Sequence, residues 1–211
     1  SALEVAPTYL ELQPGEAGLL YVANRGNAPL PAQLEPFDWH PRDGADALSQ
    51  SETLDVSPPL TTLAPGERQT IRVMADANGA AESDYRLMIS QLPPAGAAQA
   101  GKVRVLLQFS VPVFVSAAKP PPPALSWEAR ESGGPLVLLA HNNGAHSVHL
   151  TGFSVSTRDG LRLSVVRKHL GYVLPGQTQG WIIAGHVAAL HVSARDARSG
   201  AAVEADVAVH S

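Results

Sequence analysis

The sequence predicts an all-β protein made of two sandwich domains, and three observations support this. Proline and glycine, 18 residues of each in a chain of 211, recur at short intervals and form turn dipeptides. Between the turns lie short runs rich in Val, Leu, Ile and Thr, which alternate with a period of two. No apolar stripe with the 3.6-residue period of a helix is sustained, so we expect few and short helices. The turn dipeptides are Pro14-Gly15, Pro65-Gly66 and Pro175-Gly176.

The alternating runs mark five of the expected strands. They cover residues 19–22, 70–73, 85–92, 103–115 and 136–140. Strands of this length, separated by frequent turns, are typical of an antiparallel sandwich.

A run of four prolines, residues 120–123, marks the domain boundary. Consecutive prolines cannot pair in a central strand and favour a stiff polyproline segment. We therefore predict a first domain over 1–118, a linker over 119–123 and a second domain over 124–211. A stiff linker would hold the domains at a defined angle, although it could also serve only as a spacer.

The two halves share a sequence pattern. Residues 22–30 and 140–150 each read as a strand, an Asn/Gly turn and a second strand, and each is followed later by a Pro-Gly turn. Two copies of a related sandwich would explain this repetition. The alternative is that antiparallel hairpins in general use Asn-Gly chemistry.

Composition excludes several classes of function. Charged residues make up 16% of the chain and the net charge is −4, with no run of Lys and Arg, so we expect no nucleic-acid partner. No stretch of 18 apolar residues exists, so we expect no membrane-spanning segment. The absence of cysteine excludes disulfides and thiolate metal sites but does not identify the compartment.

No motif indicates an enzyme or a cofactor site. There is no nucleophile elbow and no glycine-rich phosphate loop. His146 and His149 are three residues apart, which places them on opposite faces of a strand, so we expect no metal site there. The three tryptophans could form a sugar-binding platform, but packing in a core or interface is favoured. They are Trp39, Trp127 and Trp181.

Residues 103–115 form the most apolar segment. In one extended strand, Val103, Val105, Leu107 and Phe109 share a face. A long apolar strand at a sheet edge is an aggregation hazard that proteins normally suppress. Either both faces are buried inside the sandwich, or the strand is exposed so that it can add to an incomplete sheet in a partner.

Several segments resemble the periplasmic pilus-assembly chaperones of the chaperone–usher pathway. Residues 57–73 have that family's small apolar loop, Pro-Gly turn and alternating strand, and residues 82–94 resemble its F strand. Residues 103–115 fall where its G strand should be, and residues 142–144 and 171–176 resemble second-domain signatures. Tyr85-Arg86 and residues 111–114 look most like the branch that serves archaic-type pili.

The resemblance implies two immunoglobulin-like domains in a boomerang arrangement. It implies a periplasmic location with a removed signal peptide, pilus subunits and an outer-membrane usher as partners, and no catalysis. Subunits would be bound by donor-strand complementation, with Val103, Val105, Leu107 and Phe109 filling pockets in the subunit. The apolar face also makes a self-capped homodimer possible in the absence of a client.

The sequence departs from the family in its cleft cations. The better-known branches hold the subunit's terminal carboxylate with an Arg and a Lys, but the matching positions here lie near Pro7-Thr8 and at Pro112. Arg86 is our first candidate for this anchor, because a planar guanidinium holds a carboxylate well. Lys119 is the second. Alternatively, Arg86 is a solvated or Glu-paired strand residue.

Two other functions fit an immunoglobulin-like chain: an adhesin or carbohydrate-binding module, and a structural subunit of a surface fibre. A pilus subunit lacks its last strand, whereas both halves of this sequence have a complete set. The complete set favours the role of donor.

Overall fold

A computed structural model describes residues 2–42, 45–76, 81–93, 105–131, 133–166 and 171–210. Every regular element in these ranges is a β strand, which confirms the all-β prediction. The chain divides into two compact units, Ser1–Trp39 with Leu48–Ala118 and His40–Ala47 with Lys119–Ser211. None of the described segments is a helix of the length and apolarity needed to cross a membrane.

Among the described residues before 118, ten strands form two sheets. A four-stranded sheet has the order β1-β3-β8-β6, and a six-stranded sheet has the order β2-β10-β9-β4-β5, with β7 beside β4. The strands are β1 (Leu3–Ala6), β2 (Leu10–Leu12), β3 (Ala17–Asn24), β4 (Leu30–Arg42), β5 (Ala45–Gln50), β6 (Leu54–Ser57), β7 (Leu60–Leu63), β8 (Arg68–Ala75), β9 (Ser83–Gln91) and β10 (Gln108–Val115).

The core of the first unit is built from the inward residues of both sheets. Strand β8 shows the alternation clearly, since Ile71 and Val73 are fully buried while Arg72 between them is exposed. Leu87 and Ile89 of β9 are also fully buried and belong to the same apolar cluster. This period-2 alternation is what a sheet with one buried face requires.

In the described part of the chain after Lys119, eight strands surround a second core. Their order is β14-β13-β17-β18-β11-β12-β16, with β15 beside β13. Leu138, Leu190 and Val192 are fully buried in its apolar cluster. The strands are β11 (Leu125–Arg130), β12 (Leu136–Asn142), β13 (Val148–Ser156), β14 (Arg162–Leu163), β15 (Tyr172–Val173), β16 (Thr178–Ile183), β17 (Ala189–Asp196) and β18 (Ala202–His210).

A buried asparagine holds the turn after β3. The side chain of Asn24 is fully buried, and its Nδ2 donates to the main-chain oxygens of Ala28 at 2.8 Å and Leu63 at 3.0 Å. Its Oδ1 accepts from the main-chain nitrogen of Gly26 at 2.9 Å. The side chain thus satisfies three main-chain groups that a turn would otherwise leave without partners.

Asn142 holds the corresponding turn after β12 in the second unit. Its Nδ2 donates to the main-chain oxygens of His146 at 2.8 Å and Val173 at 2.9 Å, and its Oδ1 accepts from the main-chain nitrogen of Gly144 at 2.9 Å. In both units a Pro-Gly turn then returns to this residue: the nitrogens of Gly66 and Gly176 donate to the main-chain oxygens of Asn24 and Asn142, each at 2.9 Å. The repetition in the sequence therefore reflects one turn that is built twice.

Candidate functional site: the open edge of strand β10

Strand β10 lies between β9 and β2 but is covered unequally on its two sides. On one side it pairs with β9 along its whole length, from Gln108 opposite Ser90 to Val115 opposite Ser83. On the other side β2 pairs only with residues 113–115. Within the described part of the chain, no strand pairs with residues 108–112 on that second side. This stretch is therefore an open sheet edge.

The residues that alternate on one face of this segment become more exposed toward its start. Val113 is fully buried and Val111 is 3% exposed, both within the core cluster. Phe109 and Leu107 are partly buried against that cluster. Val105 is 78% exposed, so the apolar face begins inside the sandwich and continues into solvent.

The prediction of one extended strand over 103–115 is wrong for its first part. The strand begins at Gln108, and residues 105–107 precede it. Among the described residues, one main-chain bond continues toward β9, from the nitrogen of Gln91 to the oxygen of Leu107 at 2.8 Å. With no described partner on the other side, this end lacks the two-sided ladder that would hold it extended. Val103 lies outside the described residues.

Arg86 lies on β9 directly opposite Pro112 of the neighbouring strand β10. It is only 5% exposed, so the alternative of a solvated Arg86 is wrong. Its guanidinium carbon lies 3.7 Å from the centroid of the Trp39 ring. Phe114 packs on the same group, with its ring centroid 6.2 Å from that of Trp39. Arg86 is therefore a nearly buried cation that stacks on an aromatic ring.

Lys119, the second candidate anchor, is exposed and belongs to the second unit. It follows β10 by four positions and precedes the prolines. The structure thus gives the two candidate cations different environments, one stacked on an aromatic ring and one in solvent.

The tryptophans and the histidines, which could have formed a sugar platform or a metal site, do not do so among the described residues. Trp39 and Trp181 are each 2% exposed, and Trp127 packs against the second core cluster, so these rings do not form an exposed sugar platform. Trp127 and Trp181 stack with Phe153. Over the ranges that the structure describes, no group of three or more His, Cys, Asp or Glu side chains could hold a metal ion.

Residues 2–120 match the family model of the pili and flagellar-assembly chaperones, PapD N-terminal domain. This match spans more than half of the chain. The protein belongs to the pilus-assembly chaperone family. Its open β10 edge lies inside the matched region.

Solved chaperone structures share the fold over almost the entire length. The CsuC–CsuE chaperone–tip subunit complex from archaic Csu pili of Acinetobacter baumannii matches with a TM-score of 0.76 and 21% identity, covering 100% of both chains. The Salmonella enterica SafB chaperone in complex with SafA pilin gives a TM-score of 0.68 and 16% identity, covering 98% of this chain and 95% of the other. These chaperones have two immunoglobulin-like sandwich domains, which confirms the predicted fold class.

A third similar structure is the CupB2 chaperone of Pseudomonas aeruginosa, with a TM-score of 0.62 and 18% identity over 98% of this chain and 100% of that one. No curated protein matches the sequence.

The contact of Arg86 with Trp39 could not be predicted from the sequence, because Trp39 lies 47 positions before Arg86 and gives no local signal of it. Pro112, in contrast, carries a signal that the prediction of an edge strand did not use. Proline has no main-chain N–H, so within a strand it is confined to positions where that group would face away from a neighbour. Pro112 thus indicates an edge strand from the sequence alone.

Proposed function

We propose that this chain is a periplasmic chaperone that binds pilus subunits by strand donation and delivers them to an outer-membrane usher. The observation that supports the proposal is the open edge of β10, because it combines main-chain positions that no described strand pairs with and an apolar face that emerges from the core. Such an edge can be added to the sheet of a subunit that lacks a strand. Membership of the pilus-assembly chaperone family indicates that the clients are pilus subunits.

The exposure gradient suits a donor strand energetically. Val111 and Val113 fix the strand in the chaperone's own core, while Val105, Leu107 and Phe109 retain surface that a client can bury. Each fully buried side chain of this kind contributes about 1.5–3 kcal/mol. Association itself costs about 4–15 kcal/mol in lost freedom, which is comparable to the total from three such side chains, so we expect an exchangeable complex and not a permanent one. A complex of that kind suits transfer to an usher.

Arg86 remains our proposed anchor for the client's terminal carboxylate, with Lys119 as the second. A guanidinium that stacks on an aromatic ring uses its face for that contact, while its N–H groups lie in its plane. The stack on Trp39 therefore fixes the orientation of the guanidinium N–H groups of Arg86 before a client binds. Burial of Arg86 means that the anchor operates only if the client terminus reaches the face on which Trp39 and Phe114 lie.

Service to archaic-type pili is part of the proposal. The similarity to the CsuC–CsuE complex over both whole chains supports this branch, together with the residues around Arg86 and at 111–114. A self-capped homodimer, in which two β10 edges cover each other, is the proposed state of the protein without a client.

Co-expression with candidate pilus subunits, followed by co-purification, tests strand donation. Val105→Asp and Leu107→Asp should abolish retention of the subunit, because a carboxylate cannot be buried in an apolar pocket without a partner. Val105 is 78% exposed, so its variant should fold normally, as judged by circular dichroism.

Leu161→Asp is the matched control. Leu161 is an apolar side chain in the second unit, 65% exposed, and its replacement should leave retention at the wild-type level. Wild-type retention by both Val105→Asp and Leu107→Asp would remove the support for strand donation.

A further inference from the structure

An Asn-Gly pair, Asn143-Gly144, lies in the turn after β12. Asparagine followed by glycine is prone to spontaneous deamidation, because glycine has no side chain to shield its main-chain nitrogen. Asn143 is exposed, so water can reach its side-chain amide. The other Asn-Gly pair of the chain, residues 78–79, lies outside the described residues. Within the described chain, this turn therefore has the residues that the reaction requires.

In the reaction, the main-chain nitrogen of Gly144 attacks the side-chain carbonyl carbon, Cγ, of Asn143. The nitrogen loses its proton and bonds to Cγ, the bond from Cγ to Nδ2 breaks, and Nδ2 takes up a proton and leaves as ammonia. One water then opens the cyclic imide at either carbonyl, which gives aspartate or isoaspartate. The nitrogen must therefore release its proton, and the amide must rotate into contact with it.

Hydrogen bonds restrain both reacting groups in the folded turn. The nitrogen of Gly144 donates to Oδ1 of Asn142 at 2.9 Å, which keeps its proton on a neutral acceptor inside the protein. Asn142 is 1% exposed and is itself fixed by two further bonds. The Nδ2 of Asn143 donates to three oxygens. They are Oγ of Ser126 at 3.0 Å and the main-chain oxygens of Ala124 and His141, each at 3.4 Å.

We propose that Asn143 is a site of spontaneous deamidation and that the buried side chain of Asn142 holds the reaction back. The proposal concerns the second unit and does not depend on strand donation. Opening of the turn releases the nitrogen of Gly144 and the amide of Asn143 together, because both are bonded within the same turn. The rate of deamidation therefore follows the frequency with which this turn opens.

The products cannot rebuild the original contacts. A carboxylate at position 143 has no N–H to donate, and it would face the main-chain oxygens of Ala124 and His141. Isoaspartate also inserts one carbon into the main chain before Gly144, which displaces its nitrogen from Oδ1 of Asn142. Deamidation is therefore a one-way change that weakens the turn and its contact with Ala124, the first residue after the prolines.

Peptide mapping by mass spectrometry, after incubation at mildly alkaline pH, measures the reaction directly. The peptide that contains residue 143 gains the mass difference between an amide and an acid. In the folded protein this change should be at least about tenfold slower than in the same chain unfolded by guanidinium, because the folded turn must first open. Equal rates in the folded and the unfolded protein would overturn the proposal.

Asn142→Ala removes the acceptor of the Gly144 N–H and should raise the folded-state rate at Asn143 at least about tenfold. Asn24→Ala is the matched control, because it removes the corresponding asparagine of the first unit and should leave that rate unchanged.

Val192→Ala controls for a general loss of stability in the second unit. Val192 is fully buried in the core cluster and lies on β17, outside the turn, so its variant should accelerate deamidation less than Asn142→Ala does. Equal acceleration by the two variants would show that unfolding of the whole unit controls the reaction and would refute the role of Asn142.

Amide hydrogen exchange of Gly144 in the wild type needs no variant and applies even if Asn142→Ala does not fold. The same turn must open for exchange and for deamidation, so the Gly144 amide should exchange at least about tenfold more slowly than in the unfolded chain. An unprotected Gly144 amide would contradict the proposal.

Discussion

The guanidinium of Arg86 lies over the indole ring of Trp39, with 3.7 Å between its central carbon and the ring centroid. Both residues are nearly inaccessible to solvent, at 5% and 2% exposure. The pair joins neighbouring strands β9 and β4 on the face of the sheet opposite the core. This contact gives Arg86 a structural role besides the anchoring role proposed for it.

Replacing Arg86 therefore affects both its structural role and its proposed anchoring role, and two measurements can separate them. Arg86→Ala should lower the free energy of unfolding in urea by about 1–3 kcal/mol, because a desolvated stack on a tryptophan is lost. Arg86→Lys keeps the charge but not the planar stack, and should lose about half as much.

Extending the client's C-terminus by one glycine displaces its carboxylate. This change tests the anchoring role of Arg86 separately from its role in the stability of the fold. If Arg86 binds that carboxylate, the extension should weaken retention by wild-type chaperone but not weaken it further in Arg86→Ala, as in a double-mutant cycle. Additive losses would show that Arg86 acts only through the fold.

Asn24 and Asn142 should each be essential to the stability of their own unit. Alanine at either position removes three hydrogen bonds and leaves buried main-chain groups unsatisfied, with an expected loss of about 2–4 kcal/mol in the free energy of unfolding. Asn143, the exposed neighbour of Asn142, is the control, and Asn143→Ala should lose less than about 1 kcal/mol. Chemical denaturation with a separate tryptophan probe for each unit would resolve the two transitions, and similar losses at positions 142 and 143 would contradict the prediction.

Gly171 should tolerate no side chain. Its φ is 79°, and a Cβ atom would come within 2.3 Å of the main-chain oxygen of Leu150. Gly176 has a similar φ of 73° but open space around it. Gly176→Ala should therefore lose only about 1–2 kcal/mol of stability through backbone strain, whereas Gly171→Ala should lose clearly more. Equal thermal midpoints for the two variants would exclude the steric argument.

His191 should titrate above its ordinary range. The hydrogen bond to Asp206 raises the pKa of His191, and the charges of Asp206 and Glu204 act in the same direction. Because the folded-state pKa is raised, the stabilisation is complete below the unfolded value of about 6.5 and is lost as the pH rises through the folded-state pKa. NMR titration of the imidazole protons should show this, and Asp206→Asn should lower the pKa toward its ordinary value.

Local sequence patterns predicted the strands well where one face is buried. The alternation of Ile71 and Val73 with Thr70 and Arg72, and the Pro-Gly turns, identify their elements without tertiary information. The start of β10 could not be predicted in this way, because the apolar alternation continues through residues 105–107 whether or not a neighbouring strand pairs with them. Likewise, the stack of Arg86 on Trp39 depends on strand order within the sheet, which no local pattern contains.

The place at which the N-terminal segment changes sheets determines how much of β10 the protein can lend. Strand β1 pairs with β3 in one sheet, and after residues 7–9 the chain joins the other sheet as β2 beside residues 113–115. If the crossing came three residues earlier, residues 7–9 would lie along residues 110–112 and cover three of the five open positions. The length of β2 thus determines how many residues of β10 remain open. A longer β2 offers a rational route to a chaperone that folds but does not bind its clients.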